Sequence, residues 1–210
     1  MENGMIGLNP VEAKSRIEDF NGQASAIQRE FVNKTSSFFF EMSKIWFSPK
    51  AMDFQADVVP LIDNLDKELV YFIESVVNDS CQAFNAIATS HGCPNIYVNS
   101  GPFTGSDYVR LLPNDEAGNV GMKIKEVKTR ASEYLSSLND IKNNLQTLPR
   151  NIAFYDREGA LASSYATRID KICNMFEDNT NIINEKLSSI VGEETARVEA
   201  SAINASSSMS

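Results

Sequence analysis

Residues 10–49, PVEAKSRIEDFNGQASAIQREFVNKTSSFFFEMSKIWFSP, decide the fold. Apolar side chains fall at Ala13, Ile17, Phe20, Ala24, Ile27, Phe31, Phe38, Met42 and Ile45, at intervals of three and four, and only Thr35 interrupts them. That spacing places one narrow stripe along one face of a helix. Asn9-Pro10 reads as an N-cap followed by proline at the first helical position. A helix from Pro10 to Ile45 would be ~50 Å long and would need a partner along its whole length.

Ser48-Pro49 repeats the cap-and-proline signal and opens a second segment. Its stripe runs Val58, Ile62, Leu65, Leu69, Phe72, Val76, Ala83 and Ala86, with Asp79 as the polar exception. Pro60 lies inside it, so a kink or restart is expected near 57–60. His91-Gly92 with Pro94 should end the helix. A third segment carries the stripe Val120, Ile124, Val127, Ala131, Tyr134, Leu138, Ile141, Leu145, Leu148 and stops at Pro149. The fourth reads Tyr165, Ile169, Ile172, Phe176, Ile183, Leu187, Ile190, with Asn179 on the stripe, where one polar residue can fix register.

Between the second and third segments the pattern breaks into Gly, Pro, Asn and Asp, with short β-like patches at Ile96-Tyr97-Val98 and Tyr108–Leu112. This linker could hold a small hairpin. It is too long for an ordinary helix–helix turn, which points to function. Tyr97, Phe103 and Tyr108 have no helical stripe to enter there. They form a candidate partner-contact loop, or they pack on the bundle side as a tether.

The expected fold class is all-α, with two long antiparallel helical hairpins forming a four-helix bundle. The first hairpin would occupy 1–91, the linker 92–118, the second hairpin 119–200 and a disordered tail 201–210. Each hairpin alone leaves apolar stripe in water. Packing four helices together buries it, at about 1.5–3 kcal/mol for each large side chain.

The first turn, Trp46-Phe47-Ser48-Pro49-Lys50-Ala51-Met52-Asp53-Phe54, resembles the WXG family of type VII secretion, also called early-secreted-antigen-like proteins. Trp46 matches the family's Trp, Ser48 takes the place of its Gly, and Ala51 and Phe54 follow as the small and aromatic residues. The resemblance covers about residues 10–91. An alternative for Trp46 is an ordinary core aromatic at a helix end. Phe154, Tyr155 and Gly159 mark a candidate second turn without a Trp, as in a diverged duplication. The resemblance implies a protein partner, such as a secretion ATPase or a small WXG-like protein. The family's export signal, Tyr-x-x-x-Asp/Glu, has no match: Tyr71 and Tyr155 each have Glu three residues on, at Glu74 and Glu158.

Composition narrows the functional classes. The net charge is −9, from 28 acids and 19 bases, and no Lys/Arg cluster stands out. Nucleic acid is therefore not an expected partner. No apolar run reaches the roughly 20 residues a membrane span needs. Met1–Pro10 has neither the basic region nor the apolar core of a Sec signal, so none is expected. One histidine, His91, and three cysteines, Cys81, Cys93 and Cys173, make no zinc-type spacing. A Cys81–Cys93 bridge needs the chain to turn back between them. The acids Asp63, Asp66, Glu68, Glu193 and Glu194 read as solvated faces. Neither catalysis nor a cofactor is expected. The expected function is contact with other proteins as a type VII secretion substrate or partner, by a monomer or weak dimer. The alternative is a cytoplasmic coiled-coil scaffold or structural protein unrelated to secretion.

Overall fold

The structure, a computed structural model, describes residues 9–102, 108–148 and 160–207, with side chains of the last stretch described over 163–197. In chain order the elements are α1 (Pro10–Met42), β1 (Trp46–Phe47), α2 (Pro49–Ser90), β2 (Gly121–Met122), α3 (Ile124–Gln146) and α4 (Ala160–Ser207). The protein is all-α, a four-helix bundle with one two-residue ladder.

The caps form as the sequence implies. Asn9 accepts from the amides of Val11 and Glu12, and Ser48 from that of Ala51, each followed by proline in the first turn. Gly92 adopts φ +67°, the left-handed conformation that closes a helix C-terminus. The stripe of α1 is buried almost residue for residue, including Thr35. Thr35 donates to the Phe31 carbonyl at 2.9 Å, which leaves its oxygen to accept from the Tyr134 hydroxyl at 3.0 Å.

Helix directions follow from which residues meet. Phe20 packs on Phe72, Gln28 bonds Asp66 and Phe38 packs on Phe54, so α1 and α2 run antiparallel. Lys123 donates its amide to Ile45 and Tyr134 stacks on Phe38, so α3 is also antiparallel to α1. Between α2 and α4 the ion pairs are Arg168–Asp79, Lys171–Glu68, Lys186–Asp57 and Lys50–Glu193, again in opposite order. Each of α1 and α4 packs against both α2 and α3. The bundle is therefore up-down-down-up. Phe31 meets Phe176 across its middle, ring centroids 5.4 Å apart and edge to face.

That topology explains the long linker. Parallel α2 and α3 must be joined by chain that returns the length of α2, ~63 Å, which takes at least about 19 extended residues. Residues 91–102 and 108–123 lie along this path. Ile96 lies at Asn85, Asn99 and Gly101 at Asn21, Tyr108 at Phe39, and Leu111 at Gln55. The strap then turns at Asp115–Asn119, with Gly118 at φ +79°. It pairs Gly121–Met122 antiparallel with Trp46–Phe47. The expected hairpin within the linker is not present among the described residues, because its backbone groups are taken by helix side chains instead.

Other expectations are corrected. α2 is continuous through Pro60 and does not restart. Past Val76 its buried stripe passes to Val77, Ser80, Cys81, Phe84 and Ala88, away from Ala83 and Ala86. A 3.6-residue helix drifts against a seven-residue repeat, and here the strap covers the face it drifts toward. Val120 is 57% exposed and precedes α3. α4 continues past Ala200 to Ser207. Low apolar mass argues against burial, but alanine is the best helix former, and Ala196, Ala200, Ala202 and Ala205 carry the helix on.

Candidate functional site

The tip of the first hairpin gathers Trp46, Ser48, Ala51 and Phe54, all of them buried. The Trp46 indole N–H donates to the Ser48 hydroxyl oxygen at 2.9 Å, and the Ala51 amide donates to the same oxygen at 3.2 Å. Phe54, one turn on from Ala51, lies against the indole with centroids 5.5 Å apart. Ser48 thus does two things a glycine could not, capping α2 and satisfying a buried donor. Ser48→Ala is expected to cost about 2–3 kcal/mol, from the lost cap and an orphaned indole N–H. Urea unfolding checks it, and a loss under half a kcal/mol would mean the indole finds another acceptor.

The three linker aromatics separate. Tyr97 is 76% exposed, Tyr108 is half-buried against Phe39, and Phe103 lies outside the described residues. Phe154, Tyr155 and Gly159 also lie outside them. A groove of about 420 Å³ between α2 and the strap is lined by Met52, Gln55, Val59, Tyr108 and Leu111, with Val109 and Leu112 exposed nearby. The residues that place the strap, Asn21, Gln55 and Asn85, lie off the apolar stripes, and sequence reasoning did not single them out. A faint signal was available, since each is an amide rather than a charge.

Cysteine and carboxylate chemistry is subdued. Cys81, Cys93 and Cys173 are free thiols. The Cys93 amide bonds Ala88, two helical turns (~10 Å) beyond Cys81, so the bridge between Cys81 and Cys93 does not form. Burial pushes the Cys81 and Cys173 thiols up, away from the thiolate. Burial likewise pushes up the phenol of Tyr134. His91 caps the end of α2, its amide on Ala88 and Thr89. Among the described residues no three His, Cys, Asp or Glu stand together as metal ligands, and no helix is long and apolar enough to cross a membrane.

Asp66 carries an electrostatic cost. Burial raises its pKa, opposed by a 2.6 Å hydrogen bond from the fully buried Gln28 and reinforced by Asp63. A raised folded pKa means the folded state holds the proton more tightly, so stability falls as pH rises through that window. Asp66→Asn is expected to raise Tm at neutral pH while keeping the bond from Gln28. The gain should vanish near about pH 3, where the native carboxyl is protonated. Thermal melts at both pH values test it, and an equal gain at each would show that charge is not the cause.

No family model, curated protein or solved structure matches this chain. Its function is therefore argued from the hairpin tip, the strap and the surfaces they leave.

Proposed function

We propose that this chain is a non-enzymatic helical module of the WXG type, acting through protein–protein contacts as a substrate or partner in type VII secretion. The observation that carries the reading is the hairpin tip. A buried Trp46 bonded to Ser48, with Ala51 and Phe54 behind it, joins two long antiparallel helices. Its partner would be a secretion ATPase or a small WXG-like protein. The chain would be a monomer or weak dimer, since the stripes of all four helices face inward. Acidic surfaces and self-contained packing suit a protein that travels folded.

The test is export. Tagged chain is expressed in a host carrying type VII machinery and in the same host lacking the secretion ATPase. Culture supernatant should contain the chain only in the first. Retention in both hosts, with no WXG-like protein co-purifying, would leave the scaffold reading in its place.

A further inference from the structure

An extended backbone outside a sheet leaves a donor and an acceptor on each residue that must find partners when covered. Along the strap, helix side chains supply them. Asn85 donates to the Ile96 carbonyl at 2.9 Å and accepts the Ile96 amide at 2.7 Å. Asn21 donates to the Asn99 carbonyl at 3.1 Å and accepts from Gly101 at 3.4 Å. Gln55 donates to Val109 at 2.8 Å and accepts from Leu111 at 2.7 Å. Between the asparagines, Val98 packs against the core. A primary amide offers the donor–acceptor pair that a neighbouring β-strand would present, so the α1–α2 surface receives the strap as a sheet edge receives a strand.

The side chains alternate accordingly. Ile96 is buried, Tyr97 is exposed and Val98 packs against the core. These contacts read backbone and ask only for aliphatic groups at alternate positions. Among the described residues, none of the ion pairs involves 91–122. Among the described residues, the strap is tied by these neutral bonds and by the buried side chains of Ile96 and Leu111, while each helix is held along its length.

We propose that the outer groove of α1–α2 is a receptor for an extended polypeptide, filled in cis by residues 95–102 and in trans by an extended, aliphatic-bearing segment of a partner protein. Residues 95–102 show what fits: a neutral extended segment with aliphatic side chains two apart. The site does not depend on the secretion reading, and its test does not use export.

The probe is a fluorescent peptide of residues 95–102, NIYVNSGP, titrated into full-length chain. In one form the strap is loosened by Ile96→Ser and Val98→Ser. The peptide should bind that form at least about tenfold more tightly than the unaltered chain. Adding Asn85→Ala or Asn21→Ala should abolish the difference. Equal binding to both forms, no binding to either, or indifference to Asn85→Ala overturns the proposal. A mixed dimer of loosened and unaltered chain would make the trans occupant a second copy and overturn a partner segment. Hydrogen exchange on the unaltered chain stands if the loosened form does not fold. The Ile96 and Gly101 amides should exchange at least about a hundredfold faster than those of Ile73 and Val77, and equal protection sinks the idea.

Discussion

Trp46→Ala is expected to lower the free energy of unfolding by about 3–5 kcal/mol, the cost of a large-to-small aromatic change in a packed interior. The indole is fully buried, contacts Phe54 and bonds Ser48, and its residue pairs with Met122 in the β1–β2 ladder. It therefore joins the turn, the start of α2 and the end of the strap. Because it is the chain's only tryptophan, the variant must be followed by circular dichroism against urea. The native protein should show a blue-shifted emission maximum that moves red on unfolding. A near-neutral midpoint shift in the variant would mean the ring is not packed as described, and would return Trp46 to the surface as a contact residue.

Phe176→Ala should cost a similar ~3–5 kcal/mol for a different reason. Phe176 comes from the second helical pair and Phe31 from the first, and their rings meet edge to face in the middle of the bundle. A cavity there falls on the surface that makes one bundle out of two hairpins. For a domain with ~5–15 kcal/mol in total, such a loss threatens assembly. Combining Phe31→Ala with Phe176→Ala should show a coupling of about 0.5–1.5 kcal/mol, the aromatic pair's worth beyond buried area. Additive losses would mean that the rings fill space independently. The cross-helix ion pairs cannot compensate, because exposed pairs are worth ~0–1 kcal/mol each.

Asn179 supports the same division of labour. It lies on the α4 stripe at 9% exposure and donates to the Leu61 carbonyl at 3.1 Å. That carbonyl belongs to the residue after Pro60, whose missing N–H leaves the Ala56 carbonyl, not the Leu61 carbonyl, without its helical donor. A polar residue in the stripe and a proline in the facing helix are separate oddities in the sequence, and in the structure they meet.

What the sequence determined by itself is local. Intervals of three and four set the helices and most of the buried residues of α1 and α3, from Ala13 to Met42 and from Val127 to Leu145, though not Gln28, Val32 and Phe39 in α1 or the buried face of α2 beyond Val76. Asn9, Ser48 and Gly92 set helix ends through bonds to neighbours two to four residues away. The grouping of Trp46, Ser48, Ala51 and Phe54 was legible for that reason too, since one turn brings them together. Tertiary structure decided the order of the helices, the path of the strap and the identity of its clamps. An apolar stripe is satisfied by any partner stripe, so periodicity alone does not distinguish up-down-up-down from up-down-down-up. The linker's length followed from that choice, as the reach needed to join two parallel helices. Asn21, Gln55 and Asn85 were not legible as clamps because their partners lie 78, 54 and 11 positions away. An amide's preference between water and a distant backbone is settled only when packing carries that backbone to it and excludes the water.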